Sequence, residues 1–315
     1  MQTLLVAQLV VPVLLLALLL VAPPRSWMGL GVQLVASFLT LLAISRVGMW
    51  LFPPWWTPHV AVVGLVLTSA WRVMRDRPRR SWPACVLAWS ALAAFSVAAC
   101  GATVILWRAM AGAQPPADAA ALSLEFPLTT GHYLVVNGGS ALWINAHQKS
   151  RDTTIARLQP WRGNAYAVDL VAVSELGMRA SGLLPRDPRS YHIFGMVVLA
   201  PCSGTVVRAV DGLPDMPVPQ YDRANMAGNH VLLACEDVHV VLAHFQSNSV
   251  RVRVGDVVRA GDTLALVGNS GGTSEPHLHV HAQRPSTLDA PMAGDPVPMR
   301  LHERFLVRGD RVRIP

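Results

Sequence analysis

The sequence predicts an α-helical, membrane-spanning first third followed by a mostly antiparallel β domain. Two observations carry this. The chain has no charged residue from Met1 to Pro24 or from Trp82 to Trp107. Beyond Leu124 the pattern changes to short β-like runs separated by Gly, Pro, Asn and Asp, the punctuation of strands and turns rather than helices. With only 14% of its residues charged and 52% hydrophobic, the chain is too apolar to be a uniform soluble protein, and the apolar residues concentrate at the N-terminus.

Two further apolar stretches, Met28–Leu51 and Trp55–Trp71, lie between the uncharged runs. A helix crosses a bilayer with about 20 apolar residues, so about four spans fit before Arg108. The first lacks a basic flank and exceeds a usual signal-peptide core, and it is expected to stay on the chain. The basic run Arg72, Arg75, Arg77, Arg79, Arg80 is the densest cationic loop. Basic loops stay cytoplasmic, which predicts a multi-pass cell-membrane protein with both termini outside the cytoplasm. Arg46 fits this topology less well and has to snorkel. The C-terminal domain is then periplasmic or extracellular. The net charge of +7 is largely this topogenic loop. No basic patch is interleaved with aromatics, so nucleic acid is not an expected partner.

The expected organisation is a helical anchor over 1–110, an Ala- and Pro-rich linker over 111–123 with Asp118 its only charge, and a β-rich domain over 124–315. Strand-like runs include Tyr133–Asn137, Tyr166–Val173, Thr205–Val210, His230–Ala234, Val238–His244 and Thr263–Val267. About 190 residues suffice for a full core. Cys85 and Cys100 read as small apolar residues of the last span. Cys202 and Cys235 fall in the outer domain, where an oxidising compartment permits a disulfide, although their spacing does not imply one.

The strongest chemical signal is Pro276-His277-Leu278-His279-Val280-His281. Alternate residues of a strand share a face, so three imidazoles point one way. A solvated histidine-rich strand is one reading. A metal is the other, because neutral imidazole is a good zinc ligand.

Upstream stand Ala243-His244-Phe245, the turn pair Val252-Arg253-Val254-Gly255 and Val258-Arg259-Ala260-Gly261, and Gly268-Asn269-Ser270-Gly271. With Ala200–Val206 and Gly228-Asn229-His230-Val231, these motifs stand in the order of the lysostaphin-like (LytM-type) zinc metallopeptidases, which cut peptide cross-links in bacterial cell walls. The chain resembles that family over roughly Tyr166 to Gln283. The resemblance implies a lysostaphin-type β domain and one zinc ion. It implies His279 as a ligand, and His244 and His277 as catalytic residues flanking the metal. It implies a further ligand in Asp169, within Tyr166-Ala167-Val168-Asp169-Leu170. A lone Asp between apolar strand residues is also costly to bury unless paired or metal-bound.

Two departures stand out. The family's His-x-x-x-Asp pairing is missing, since position 165 is Ala. A catalytic zinc needs three protein ligands and one open position. Of His132, His147, His192 and His230, the reading favours His147 as the displaced ligand, carried on a loop that folds back beside Asp169. His281 is additional to the motif and reads as a polar residue facing outward.

The implied function is a membrane-anchored zinc metallopeptidase that hydrolyses peptide bonds, with peptidoglycan cross-links or another extracytoplasmic peptide as partner. The alternative is a catalytically inactive domain of the same type that acts as an envelope binding or regulatory module. A lipoyl-type carrier needs a lysine at its hairpin tip, and the only lysine, Lys149, is far from the relevant segment.

Overall fold

A computed structural model describes residues 2–117, 119–287 and 289–315. The chain divides into two compact units, Met1–Met110 and Ala111–Pro315.

The first unit consists of α1 (Gln2–Val21), α2 (Trp27–Val47), α3 (Thr57–Arg75) and α4 (Val86–Ala111). Ser26 caps α2, its Oγ accepting from Gly29 N at 3.1 Å, and Pro58 opens α3 where no backbone donor is needed. Leu19, Leu30, Leu41, Ala61 and Leu65 form a small buried cluster among the first three helices.

Among the described residues, two helices are long and apolar enough to cross a bilayer, Trp27–Val47 and Val86–Ala111. This is narrower than the four spans expected. α1 is 20 residues long, and Ala7–Val21 is the apolar stretch of it that falls among the residues described with their side chains. The 19 residues of α3 include Pro58 and His59 and end with Arg72 and Arg75 in the last turn.

The second unit is built from strands: β1 (Leu122–Leu124), β2 (Gly131–Asn137), β3 (Val168–Ala172), β4 (Val197–Leu199), β5 (Gly204–Val210), β6 (Asn229–Cys235), β7 (Val238–Phe245), β8 (Val257–Val258), β9 (Thr263–Leu266), β10 (Leu278–Gln283), β11 (Pro296–Val297), β12 (Met299–Leu301) and β13 (Arg311–Ile314). Its helices are short 3-10 segments, among them Ala146–Arg151 and Ala156–Tyr166. The first strand begins at Leu122, inside the segment expected as a linker, and pairs in parallel with β12. Asp118 lies outside the described residues.

The main sheet runs β13-β2-β3-β10-β7-β6-β5-β8, with β11 added beside β10, and its pairings are antiparallel. Strand alternation separates two faces. Tyr133, Val135, Val168, Leu170, Val231, Leu233, Val240, Leu242, Leu278, Val280 and Ala282 belong to one core cluster. The alternate residues Asp169, His279, His281 and Gln283 point the other way. Both faces are buried there, since β3 and β10 are buried at every position. Ordinary strand burial therefore places a polar row in a water-poor layer, which requires each member to find a partner.

Cys202 and Cys235 are disulfide-bonded, with Cα atoms 6.2 Å apart. The bond ties the turn before β5 to the end of β6, its neighbour in the sheet.

Candidate metal centre

β10 lies between β3 and β7, and its register sets His279 opposite Asp169 on one side and Ala243 on the other. Asp169 is 4% exposed. Its Oδ1 is 2.9 Å from His279 Nδ1 and its Oδ2 is 2.9 Å from His147 Nε2. The ligand atoms of His147, Asp169 and His279 all lie within 4.8 Å of one another. Donors about 2.0–2.2 Å from a tetrahedral zinc stand roughly 3.3 Å apart, so this set fits zinc in chemistry and in spacing.

His147 reaches the centre because its loop is pinned. Asn145, fully buried, accepts from His147 N at 3.1 Å. Its Nδ2 donates to the carbonyls of Gly139, Ala165 and Ala167 at 2.9, 3.3 and 3.0 Å. Gln148 Nε2 donates to the same Ala165 carbonyl at 2.7 Å. Ala165, standing where the family pattern expects a histidine, thus holds the loop that carries His147. Of the other candidates, His132 and His192 are exposed. His230 is buried but engaged elsewhere, with Nδ1 2.7 Å from Gly228 O and Nε2 3.3 Å from Arg208 Nε.

His244 and His277 flank the cluster, their rings 4.8 Å apart. His244 Nδ1 lies 2.9 Å from Ser270 O, and His277 Nδ1 lies 2.9 Å from Glu275 O. A carbonyl oxygen only accepts, so both rings carry their proton on Nδ1 and leave the Nε2 lone pair free. His277 Nε2 is 3.7 Å from Asp169 Oδ1. His244 adopts a left-handed backbone with φ of 68°, a conformation that costs a non-glycine residue energy and clusters at functional sites. The contacts that hold it are tight: a Cβ on Gly228 would come within 2.3 Å of the Ser270 carbonyl oxygen.

The electrostatics suit neutral ligands. Burial works against the Asp169 charge, but the charges of His147 and His277 and hydrogen bonds from His147 and His279 outweigh it and hold the carboxyl well below its usual range. Burial pushes His279 down, against the pull of Asp169. Burial, then the like charges of His277 and His279, push His244 well down.

Sequence reasoning missed a supporting layer. Asn137 Nδ2 donates to Asp169 Oδ2 at 2.8 Å, and Arg308 Nη2 donates to Asn137 Oδ1 at 2.6 Å. Arg308 also donates from Nε to Val136 O at 2.8 Å, and its burial lowers it to about 10. Asn137 reads in sequence as the first residue of a Gly-Gly turn; a bulge between Val135 and Asn137 aligns it with Asp169. Nothing local marks Arg308. Arg179 and Glu275 form a buried ion pair, the Nε–H of Arg179 shared between both carboxylate oxygens at 3.0 Å.

His281 does not face outward. It is 2% exposed, with Nδ1 2.9 Å from His279 Nε2, because the face expected to meet solvent is covered by the Ala156–Tyr166 segment. A cavity of about 270 Å³ opens beside His147, His244 and His279, with Leu158, Trp161 and Met292 on its walls.

Residues 192–291 match peptidase family M23. That segment holds His244, His277, His279 and His281, while His147 and Asp169 precede it. No curated protein matches the chain. Similar solved structures include lysostaphin in solution, at 23% identity over 38% of this chain and 37% of that one, with a TM-score of 0.25. The chain thus spans little more than a third of that protein's length. They also include the catalytic domain of lysostaphin from Staphylococcus simulans, at 24% identity over 32% and 74% of the two chains and a TM-score of 0.23. A zinc-containing peptidase from Vibrio cholerae is 17% identical over 37% and 46%, with a TM-score of 0.23. Residues 192–291 of the C-terminal unit are thus an M23-type segment, similar to the LytM-type peptidases.

Proposed function

We propose that this protein is a membrane-anchored zinc metalloendopeptidase that cleaves an extracytoplasmic peptide, with peptidoglycan cross-links as the substrate. The observation that carries this is one buried carboxylate, Asp169, with His147 and His279 each 2.9 Å from one of its oxygens. His147, Asp169 and His279 would hold one zinc ion. A zinc ion there supplies Lewis-acid polarisation of a scissile carbonyl and acidifies water.

The chain's own groups do the rest. Ser270 O and Glu275 O hold protons on the Nδ1 atoms of His244 and His277. Each Nε2 can therefore accept a proton and return it, or donate a hydrogen bond to a developing oxyanion. Asn137 keeps the Asp169 carboxylate oriented. The apolar walls of the adjoining cavity would seat a peptide side chain and exclude water from the reacting bond.

Membrane anchoring is supported by the two helices apolar enough to span, and the Arg72–Arg80 loop favours a C-terminal unit outside the cytoplasm. The Cys202–Cys235 disulfide supports an oxidising compartment. The test is metal analysis of the full-length protein in detergent together with release of soluble fragments from purified peptidoglycan. Bound zinc with hydrolysis supports the reading. Bound zinc without hydrolysis of any cross-link type favours a binding module, and absence of zinc sinks the site.

A further inference from the structure

The cavity beside the metal centre is lined by charge of one sign. Its walls include Lys149 and Arg157 and, among the described residues, no Asp or Glu. Lys149 is the only lysine of the chain. It follows His147 on the Ala146–Arg151 segment, and Arg157 lies on the Ala156–Tyr166 segment that also gives the cavity Leu158 and Trp161. Both cations are exposed. Neither makes an ion pair or a side-chain hydrogen bond among the described residues. Nearby arginines differ: Arg151 donates from Nη1 to the Tyr166 hydroxyl at 3.0 Å and lies over its ring, and Arg162 pairs with Asp295. Asp152, the acid between Lys149 and Arg157 in sequence, does not line the cavity. Its carboxylate accepts from Thr154 N and Oγ1 at 3.0 and 2.6 Å.

Two cations in one concavity, with no acid beside them, attract anions. Guanidinium and ammonium groups bond carboxylates roughly twice as strongly as neutral donors bond neutral acceptors. Leu158, Trp161 and Met292 add apolar wall, which suits a carboxylate carried on an aliphatic stem. The cavity, about 270 Å³, is smaller than the roughly 300–1,000 Å³ of clefts that enclose drug-sized ligands, so it takes one residue of a peptide. His147, His244 and His279 line the same cavity, so that residue adjoins the reacting bond.

We propose that Lys149 and Arg157 form a carboxylate-binding subsite, and that the cleaved peptide carries a free carboxylate on a residue flanking the scissile bond. Cleavage of the bound peptide rests on the peptidase reading; the anion subsite does not.

The test uses the full-length protein in detergent and two synthetic probes. One is a cross-linked stem-peptide dimer with free carboxylates; the other is the same dimer with every carboxylate made a carboxamide. Hydrolysis kinetics and calorimetric binding are measured on both, in protein matched for zinc content. The wild type should favour the carboxylate dimer by about 10-fold or more in kcat/KM. The difference should fall mainly on KM, because a group remote from the reacting atoms is bound alike in ground and transition states. The double variant Lys149→Gln/Arg157→Gln should handle the two dimers alike. Arg251→Gln, which removes an exposed arginine outside the cavity, should keep the preference. Equal handling of both dimers by the wild type overturns the proposal. So does a full preference in the double variant, or an equal loss of preference in Arg251→Gln. A wild type that cleaves neither dimer, yet binds the carboxylate form more tightly through Lys149 and Arg157, defeats the peptidase reading and leaves the subsite standing. No cleavage and no binding preference defeats both.

Discussion

Asp169 is held from three directions, by His147, His279 and Asn137, and Asn137 is held in turn by Arg308. Asn137→Ala removes a donor from a buried carboxylate and one acceptor from Arg308, so zinc affinity should fall by about 10-fold or more, read by chelator competition. His244→Ala and His277→Ala should behave differently: both keep zinc and lose roughly 10²-fold or more in rate. Loss of zinc in either would move that residue into the ligand set. The histidines and Asp169 were legible because their residue types and order carry chemical meaning. Asn137 and Arg308 were not, because an Asn before Gly-Gly reads as a turn and an arginine acquires its role only when the chain's end returns across β2.

At the scale of elements, the loop carrying His147 is held by Asn145, with one further bond from Gln148 to the Ala165 carbonyl. Asn145→Ala would leave the carbonyls of Gly139, Ala165 and Ala167 without this donor. It should cost about 1–3 kcal/mol and lower zinc occupancy, measured by urea unfolding and metal analysis on the same preparation. An unchanged zinc content would show that the loop is held by other means. Gly228, with φ of 59° and no room for a Cβ against Ser270, should tolerate Ala poorly, with activity lost before zinc because the Ser270 carbonyl holds His244 rather than a ligand. The strands were visible in the alternation and turn residues of the sequence. The covering of the second sheet face was not, since 3-10 segments have no strong period; that is why His281 reads as outward yet lies buried.

Across the whole chain, the first unit's apolar character follows from composition alone, but span number does not, since α3 is interrupted by polar and basic residues. Reporter fusions near position 78 and at the C-terminus should report opposite sides of the membrane; matching sides would refute the topology. In the second unit, burial is the leading cause that lowers His230, His244, His279 and His281. The folded state therefore binds fewer protons than the unfolded chain once pH drops below about 6.5. Stability should be at its plateau above that value and fall on acidification. For His230, lowered from 6.5 to about 4, the loss across that window approaches about 3 kcal/mol. Urea midpoints at pH 7 and pH 5 check the sign; a midpoint higher at pH 5 would contradict it.

The central claim is that His147, displaced from the family's usual position, completes a zinc site with Asp169 and His279. Zinc stoichiometry of the purified full-length protein, measured beside its His147→Ala variant, tests this most directly. The account predicts one zinc per chain in the wild type and loss of that zinc in the variant, with folding retained by circular dichroism. Full zinc retention in His147→Ala, or a wild type that binds none, would contradict it.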